Sequence, residues 1–180
     1  MEYIRADHIT SEEVRNFRKR YGMTQQQLAD FMGCSKPTVE RWEQNGGVTG
    51  TAALVFDILF HSPLLMEERS IPERVLPLRL WYMNGQHVCT LIDVDDINQR
   101  VMIRNYTSNI LLRAFGKNEH PTYKDYEEFL ESRCFPGQRD KMKLILRDLD
   151  LPFYDPFMIV KKTEGRMAED DFWIRIEQQI

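Results

Sequence analysis

The sequence predicts an α+β protein, with an all-α N-terminal domain followed by a C-terminal antiparallel β-meander with helices. Residues 10–60 carry apolar residues at helical spacing, with glycines between the helical segments. Residues 78–106 instead alternate apolar and polar residues in short runs, as half-buried strands do. Between these patterns lie three prolines, which disfavour a continuous helix. We therefore expect two domains and a linker, with the boundaries 8–61, 62–76 and 77–180.

The composition is that of an ordinary globular protein, with 42% apolar and 29% charged residues in a chain of 180. No apolar run approaches the roughly 18 residues of a membrane-spanning helix, and the N-terminus lacks a signal-peptide pattern. We therefore expect a cytoplasmic, nucleoid-associated protein without a membrane partner. Cys34, Cys89 and Cys134 are far apart and the four histidines are scattered, so we expect no disulfide framework, no metal site and no cofactor.

The first two helices are each introduced by a capping box. Thr10 precedes helix one with Glu13 three residues later, and Thr24 precedes helix two with Gln27 at the same spacing. Gly33 follows helix two and permits a tight turn. The inward faces of the two helices carry the apolar residues Val14, Phe17, Tyr21, Leu28, Ala29 and Met32.

The third helix is expected to be capped by Ser35 and to end near Glu43. Pro37 falls in its first turn, where a missing amide hydrogen costs nothing. Val39 and Trp42 are expected to point inward, and a fourth, apolar-rich helix should then close the core. The outer face of helix three carries Lys36, Pro37, Thr38 and Arg41.

Two short helices joined by a glycine-containing turn, the second with a polar outer face, are the elements of a helix-turn-helix. The segment MTQQQLADFMGCSKPTVERWEQ resembles the Xre/Cro-type helix-turn-helix family, and RWEQNGGVTGTAALVFDIL is similar to the form found in MqsA-type antitoxins. The resemblance implies a domain that binds a double-stranded DNA operator, and a homodimer that reads two half-sites about one helical turn apart. The alternative is a helical bundle that never contacts DNA. The matching positions are Gln25, Leu28, Ala29, Gly33, Ser35, Val39, Trp42 and Glu43.

The resemblance places the outer N-terminal face of helix three in the major groove. Lys36 and Arg41 are the candidate base readers, because both side chains can donate hydrogen bonds to guanine O6 and N7. Thr38 and the ring of Pro37 are candidates for contact with a thymine methyl group.

Phosphate contacts are expected from Gln25 and Ser35, which lie where family members hold the DNA backbone. Arg18 and Lys19 are weaker candidates for the same role. Residues 1–62 hold 7 Lys/Arg and 8 Asp/Glu, so a local patch rather than bulk charge must bind DNA. The affinity of one protomer should then be modest and sensitive to salt.

The C-terminal half predicts a three-stranded meander, two helices, a further short helix and a last strand. Asn84-Gly85 between two alternating segments is a strong hairpin signal. The expected strands cover 78–83, 87–94, 100–106 and 172–176, and the expected helices cover 123–133, 138–149 and a short segment after Pro156.

Three stretches of this half resemble the N-terminal subdomain of HipA-family kinases: LRLWYMNGQHVCTL, FLESRCFPGQR and DPFMIVKKTEGRMAEDDFWIRI. The resemblance implies that the chain is an antitoxin that docks a separate HipA-like kinase chain. In the second stretch the matching residues, which are the candidate partner contacts, are Phe129, Glu131, Gly137 and Arg139. The alternative is an unrelated α+β domain that dimerises or senses a ligand.

The sequence shows no catalytic residues: it has no phosphate-binding loop and no kinase-like catalytic aspartate with a metal-binding asparagine. The acidic pairs and triplets of the second half are typical of solvated faces. We therefore expect a regulator rather than an enzyme, which represses its own operator and restrains a kinase. The alternative is a stand-alone Xre-type repressor whose C-terminal domain dimerises or senses a small molecule.

Overall fold

The computed structural model of the chain describes residue 4, residues 6–137 and residues 142–178. Its contacts divide the chain into two units, Met1–Ser70 and Ile71–Ile180. The first unit is built from helices with one very short β-ladder, and the second from an antiparallel sheet with helices. This arrangement confirms the predicted α+β class.

The first unit contains α1 (Ser11–Arg20), α2 (Gln25–Met32), α3 (Lys36–Gln44), α4 (Gly50–His61) and α5 (Pro63–Arg69). Both predicted capping boxes are present. The Thr10 amide donates to Glu13 Oε2 at 2.8 Å, and the Thr24 amide donates to Gln27 Oε1 at 2.8 Å. Each threonine hydroxyl accepts the reciprocal amide, so both helices begin where the sequence predicts.

The short helix α5 lies in the stretch that was predicted to be a linker, where three prolines disfavour a continuous helix. Pro63 occupies the first turn of α5, where its missing amide hydrogen is not needed. Met66 of this helix is buried in the core of the first unit. The first part of the predicted linker 62–76 is therefore helical and packed.

A β-ladder that was not predicted joins the segment before α1 to the segment after α3. Strands β1 (His8–Ile9) and β2 (Val48–Thr49) pair antiparallel, with Ile9 opposite Val48. Gly47, just before β2, has φ +90°, and a Cβ atom there would overlap the carbonyl oxygen of Ile9. Only glycine therefore allows the chain after α3 to approach β1 this closely.

We expect Gly47→Ala to destabilise the first unit by about 3 kcal/mol, because the added methyl group meets backbone atoms that cannot move aside. Gly46→Ala is the matched control: its φ is +88° but nothing lies within 4 Å of its Cβ position, so only the backbone strain of about 1 kcal/mol remains. Urea unfolding followed by helical circular dichroism measures both losses. Equal losses would contradict the close approach.

The second unit contains the strands β3 (Leu78–Asn84), β4 (His87–Asp95), β5 (Arg100–Asn105) and β6 (Phe172–Gln178), and the helices α6 (Tyr123–Ser132), α7 (Met142–Asp148) and α8 (Pro156–Thr163). The strands form a four-stranded antiparallel sheet in the order β5-β4-β3-β6. The first three strands of this unit form the predicted meander, and its last strand, β6, pairs with β3. A 3₁₀ turn at Ile110–Leu112 was not predicted.

Strand β3 is buried on both of its faces. Leu78, Leu80 and Tyr82 pack with α6 and α8 in the main core, whereas Trp81 and Met83 belong to a smaller apolar cluster with Leu91. On the same side as Trp81, Arg79 lies directly opposite Asp93 and binds both of its carboxylate oxygens at 2.7 Å. Both side chains of this ion pair are buried, and the two parallel hydrogen bonds satisfy both oxygens of the carboxylate.

Candidate nucleic-acid interface

The turn between α2 and α3 sets the direction of the third helix. Gly33 ends α2 in the left-handed conformation, with φ +66°. The amides of Gly33 and Cys34 donate to the carbonyl groups of Asp30 and Ala29, which closes the last turn of α2. The chain then enters α3 after only three residues, as the predicted helix-turn-helix requires.

The structure brings the predicted base readers together on the outer face of α3. Lys36, Pro37 and Arg41 are exposed, whereas Val39 is fully buried against the core. Thr38 is half-buried at the edge of this face. Within the described part of the chain, no ion pair or side-chain hydrogen bond engages the guanidinium group of Arg41. Its donors are therefore available to a ligand.

Lys36 carries a weak pairing that sequence reasoning missed. Its Nζ lies 3.4 Å from Glu40 Oε1, and both side chains are more than a third exposed. Such a surface pair contributes little to stability and exchanges readily for another acceptor. The i, i+4 spacing of Lys36 and Glu40 was the available signal.

The start of α3 is uncapped by side chains. Ser35 occupies the cap position, as predicted, but its hydroxyl group forms no hydrogen bond to the helix backbone. It is instead 2.9 Å from the hydroxyl group of Thr38. The first turn contains no acidic residue, so the positive end of the helix dipole remains available to an anion such as a phosphate group.

A buried carboxylate holds the end of α3 against α1 and α2. Arg18 Nε and Nη2 donate to the two oxygens of Glu43 at 2.6 and 3.1 Å, and Gln25 Nε2 donates to Glu43 Oε2 at 2.9 Å. Arg15 Nη2 donates to the backbone carbonyl group of Glu43 at 2.7 Å. The hydrogen bonds from Arg18 lower the pKa of the Glu43 carboxyl group, although burial opposes them.

This network changes the interpretation of two residues that the sequence assigned to phosphate contacts. The guanidinium group of Arg18 is occupied by Glu43 and by the carbonyl oxygen of Met23, so Arg18 is a structural residue. The amide of Gln25 is also engaged by Glu43, which limits its freedom to reach DNA. Lys19 is exposed and stays a candidate.

A signal for the network was present in the sequence. Arg18 lies four residues after the buried Val14, and Glu43 lies four residues after the buried Val39. Each charged residue therefore falls on the inward stripe of its own helix. Two opposite charges on facing apolar stripes predict a buried ion pair.

Three of the four candidate partner contacts in the second unit lie among the described residues, and one of the three is buried. Phe129 is buried in the main core, where its ring packs against Tyr82, so it stabilises the fold and is not available to another chain. Glu131 and Gly137 are exposed, and Arg139 lies outside the described residues.

Sequence reasoning missed Arg133, which forms five side-chain hydrogen bonds to described residues. Its guanidinium group donates to the carbonyl oxygen of Gly165 at 3.0 and 2.8 Å and to both carboxylate oxygens of Asp170 at 2.7 and 2.9 Å. It also donates to the carbonyl oxygen of Phe172 at 3.1 Å. Two of the stretches that resemble the HipA subdomain therefore meet at Arg133, which links the end of α6 to the loop before β6.

None of the described helices has both the length and the apolar character needed to cross a bilayer.

Comparison with known proteins gives one family match. Residues 14–53 match the family described as Helix-turn-helix, and this range runs from Val14 within α1 through α2 and α3 to the start of α4. No curated protein and no solved structure matches the chain. The match and the geometry of α2 and α3 identify residues 14–53 as an Xre-type helix-turn-helix domain, the DNA-binding domain of a transcriptional regulator.

Proposed function

We propose that the chain is a sequence-specific repressor that reads an operator with the outer face of α3. The exposed guanidinium group of Arg41, which no side chain of the described residues engages and which lies five residues after Lys36 on α3, carries this proposal. A groove-inserted helix specifies sequence through such donors, because each can form paired hydrogen bonds with guanine O6 and N7. The buried Glu43 network supports the proposal, since it fixes the helix that presents them.

The start of α3 supplies the complementary backbone contact in this proposal. Its open N-terminus and the adjacent hydroxyl groups of Ser35 and Thr38 suit a phosphate oxygen. Phosphate contacts fix the register of the helix on the duplex, whereas Lys36 and Arg41 select the bases.

We expect Arg41→Ala to weaken binding to a selected operator by roughly 1–3 kcal/mol and to relax the base preference at the contacted position. The operator is obtained by selecting duplexes from a random pool with the parent protein, and binding is followed by fluorescence anisotropy at fixed salt. Arg147→Ala is the matched control, because it removes a positive charge that is also exposed, from α7 in the second unit.

Equal affinity of the Arg41→Ala variant and the parent for the operator would remove Arg41 from the reading surface. Loss of affinity in both variants would instead indicate attraction by net charge alone.

We further propose a homodimer, since one helix-turn-helix reads only a few base pairs and operators usually contain two half-sites. The exposed Leu54 and Ile58, one turn apart on α4, offer an apolar surface to a second copy. Sedimentation equilibrium measures the oligomeric state. A monomer at concentrations that saturate the operator would overturn this part of the proposal.

The finer role that we propose is that of an antitoxin, whose second unit docks and restrains a separate HipA-like kinase chain. The three stretches in HipA-subdomain order support this role. Co-expression with a kinase that lacks its own N-terminal subdomain tests it, and failure of the two chains to co-purify would contradict it. The second candidate is a stand-alone repressor whose second unit dimerises or senses a small molecule.

A further inference from the structure

The sheet of the second unit has one face that carries no part of the main core. Helices α6 and α8 pack against the opposite face. The apolar cluster on the first face contains, among the described residues, only side chains of the strands and of Tyr106, which directly follows β5. We call this face, which no helix of the cluster covers, the open face.

The strand register places an arginine at each edge of the open face. On the β6 side, Arg175 lies opposite Trp81 of β3. Trp81 lies opposite Leu91 of β4, and Leu91 lies opposite Arg104 of β5. Directly opposite residues of an antiparallel pair share a face, so these four side chains form one row across the sheet. The two edge strands are about 14 Å apart, which is three strand spacings, and an extended ligand fits between their arginines.

Arginines of the open face lie over aromatic rings. Both a ring and a guanidinium plane offer a flat surface on which a nucleic-acid base can stack. An arginine held over a ring therefore extends the stacking surface and adds a positive charge to it. The distances from the guanidinium carbon to the ring centre are 4.7 Å for Arg166 over Trp173, 4.8 Å for Arg175 over Trp81 and 5.8 Å for Arg104 over Tyr106.

The outer members of these pairs are accessible. The side chains of Arg166 and Arg175 are 56% and 49% exposed. Trp173, Arg104 and Tyr106 are half-buried, so part of each is open to a ligand.

The carboxylates near these arginines hold them only weakly. Glu164 lies 2.8 Å from Arg166 and Glu177 lies 4.0 Å from Arg175, and all four side chains are about half exposed. Such surface pairs contribute little to stability, and a phosphate group can replace the carboxylate. The carboxylate of Asp93, nearer the centre of the face, is already satisfied by its buried ion pair.

Trp81, in the middle of the row, has a buried N–H group without an acceptor. Its side chain is 5% exposed, and its Nε1 has no hydrogen-bond partner within the described part of the chain. Buried donors are rarely left unsatisfied, so this one calls for an acceptor from outside the unit. The half-exposed side chain of Arg175 lies over the indole ring, and its displacement by a ligand would uncover Trp81.

We propose that the open face binds single-stranded nucleic acid. Bases stack on Trp173, Tyr106 and the guanidinium planes above the rings, while Arg104 and Arg175 at the two edges contact phosphate groups. Stacking surfaces flanked by cations are what a single strand requires, and the repeated pairing of arginine with a ring favours this ligand over an apolar protein surface. The site lies wholly within the second unit, so the inference goes beyond operator binding by α3 and does not depend on it.

Fluorescence anisotropy of the full chain with labelled oligodeoxythymidine and labelled oligouridine tests the proposal, and comparison of the two strands distinguishes DNA from RNA. We expect saturable binding of at least one strand, with the same affinity in Arg41→Ala as in the parent. Arg104→Gln and Arg175→Gln should each reduce the slope of log affinity against log salt concentration by about 0.7, the contribution of one phosphate contact with a single strand.

Trp173→Leu should weaken binding at least about fivefold without changing this slope, because it removes a stacking surface and no charge. Trp173→Phe keeps an aromatic ring but loses the hydrogen bond from Trp173 Nε1 to the carbonyl oxygen of Gly85, so its affinity should stay within about twofold of the parent. Equal weakening in both variants would mean that this hydrogen bond, and not stacking, is what matters, and would contradict the proposal.

Arg147→Gln is the matched control, because it neutralises an exposed arginine on α7 and should leave both the affinity and the slope unchanged. Thermal unfolding of each variant establishes that its fold is retained. The variants of the open face should leave the affinity for the operator duplex unchanged, so this proposal and that of operator binding fail separately.

The proposal is overturned by absence of saturable binding of either strand, by loss of that binding in Arg41→Ala, or by equal affinity in all variants of the open face. Tighter binding of a glutamate-rich peptide than of either strand would also overturn it and would indicate an acidic protein partner.

Discussion

Glu43→Ala is expected to destabilise the first unit by about 3 kcal/mol, among the largest effects of any single substitution in it. The substitution leaves the largely buried guanidinium group of Arg18 without its anion and the amide of Gln25 without its acceptor. Removal of one partner from a buried pair costs far more than the pair itself contributes, because the other charge stays buried. Urea unfolding of the parent and the variant, followed by helical circular dichroism, measures the loss.

Glu43→Gln separates the contribution of charge from that of packing. Hydrogen bonds from Arg18 lower the pKa of Glu43 in the folded state. The contribution of the Glu43 carboxylate to the free energy of unfolding is therefore complete above the carboxyl pKa of the unfolded chain, about 4.3. The contribution is lost as the pH falls through the lower pKa of the folded state. The stability difference between the parent and Glu43→Gln should therefore shrink below pH about 4.3. A difference that does not change with pH would contradict the ion pair.

Substitutions of Arg41 and Glu43 distinguish a residue that contacts DNA from a residue that positions α3. Arg41→Ala should weaken operator binding while the unfolding free energy stays near that of the parent, because the side chain of Arg41 is exposed. Glu43→Ala should lower both the operator affinity and the free energy of unfolding, since it frees the end of α3.

The double variant Arg18→Met, Glu43→Leu should recover much of the stability that Glu43→Ala loses, because an apolar pair carries no desolvation penalty.

The local elements of the first unit could be predicted from sequence because their signals are local. The capping residues Thr10 and Thr24, and Gly33 after α2, act within one helical turn, and the structure confirms them. The β-ladder beside Gly47 could not be predicted, since each of its strands has two residues and they are about forty positions apart. Glycine alone indicates a special backbone conformation but not the strand that it approaches.

The candidate site was predicted in part for a related reason. The outer face of α3 follows from helical period alone, and the structure places Lys36 and Arg41 on it as expected. The roles of Arg18 and Gln25 depend on their contacts with the end of α3, and local sequence does not specify such tertiary contacts.

The stretch around Phe129 shows how a resemblance in sequence can reflect folding rather than recognition. Its matched phenylalanine is core, and Arg133 connects two of the matched stretches through backbone carbonyl groups. Residues that hold a fold together produce the same sequence pattern as residues that hold a partner.

Arg133→Ala is expected to cost the second unit about 4 kcal/mol, because it removes a largely buried charge and leaves the carbonyl oxygens of Gly165 and Phe172 without their donor. The loop before β6 should lose its attachment to α6. Urea unfolding measures the total loss, and hydrogen exchange of the β6 amides shows whether this edge strand opens first.

Two milder variants establish which contact matters. Asp170→Asn should cost only about 1 kcal/mol, since the carboxylate is partly exposed and Arg133 keeps its carbonyl acceptors. Arg133→Lys should cost nearly as much as alanine, because one ammonium group cannot reach two separate carbonyl groups and a carboxylate at once. An Asp170→Asn loss as large as that of Arg133→Ala would mean that the ion pair, rather than the carbonyl contacts, holds the loop before β6 to the end of α6.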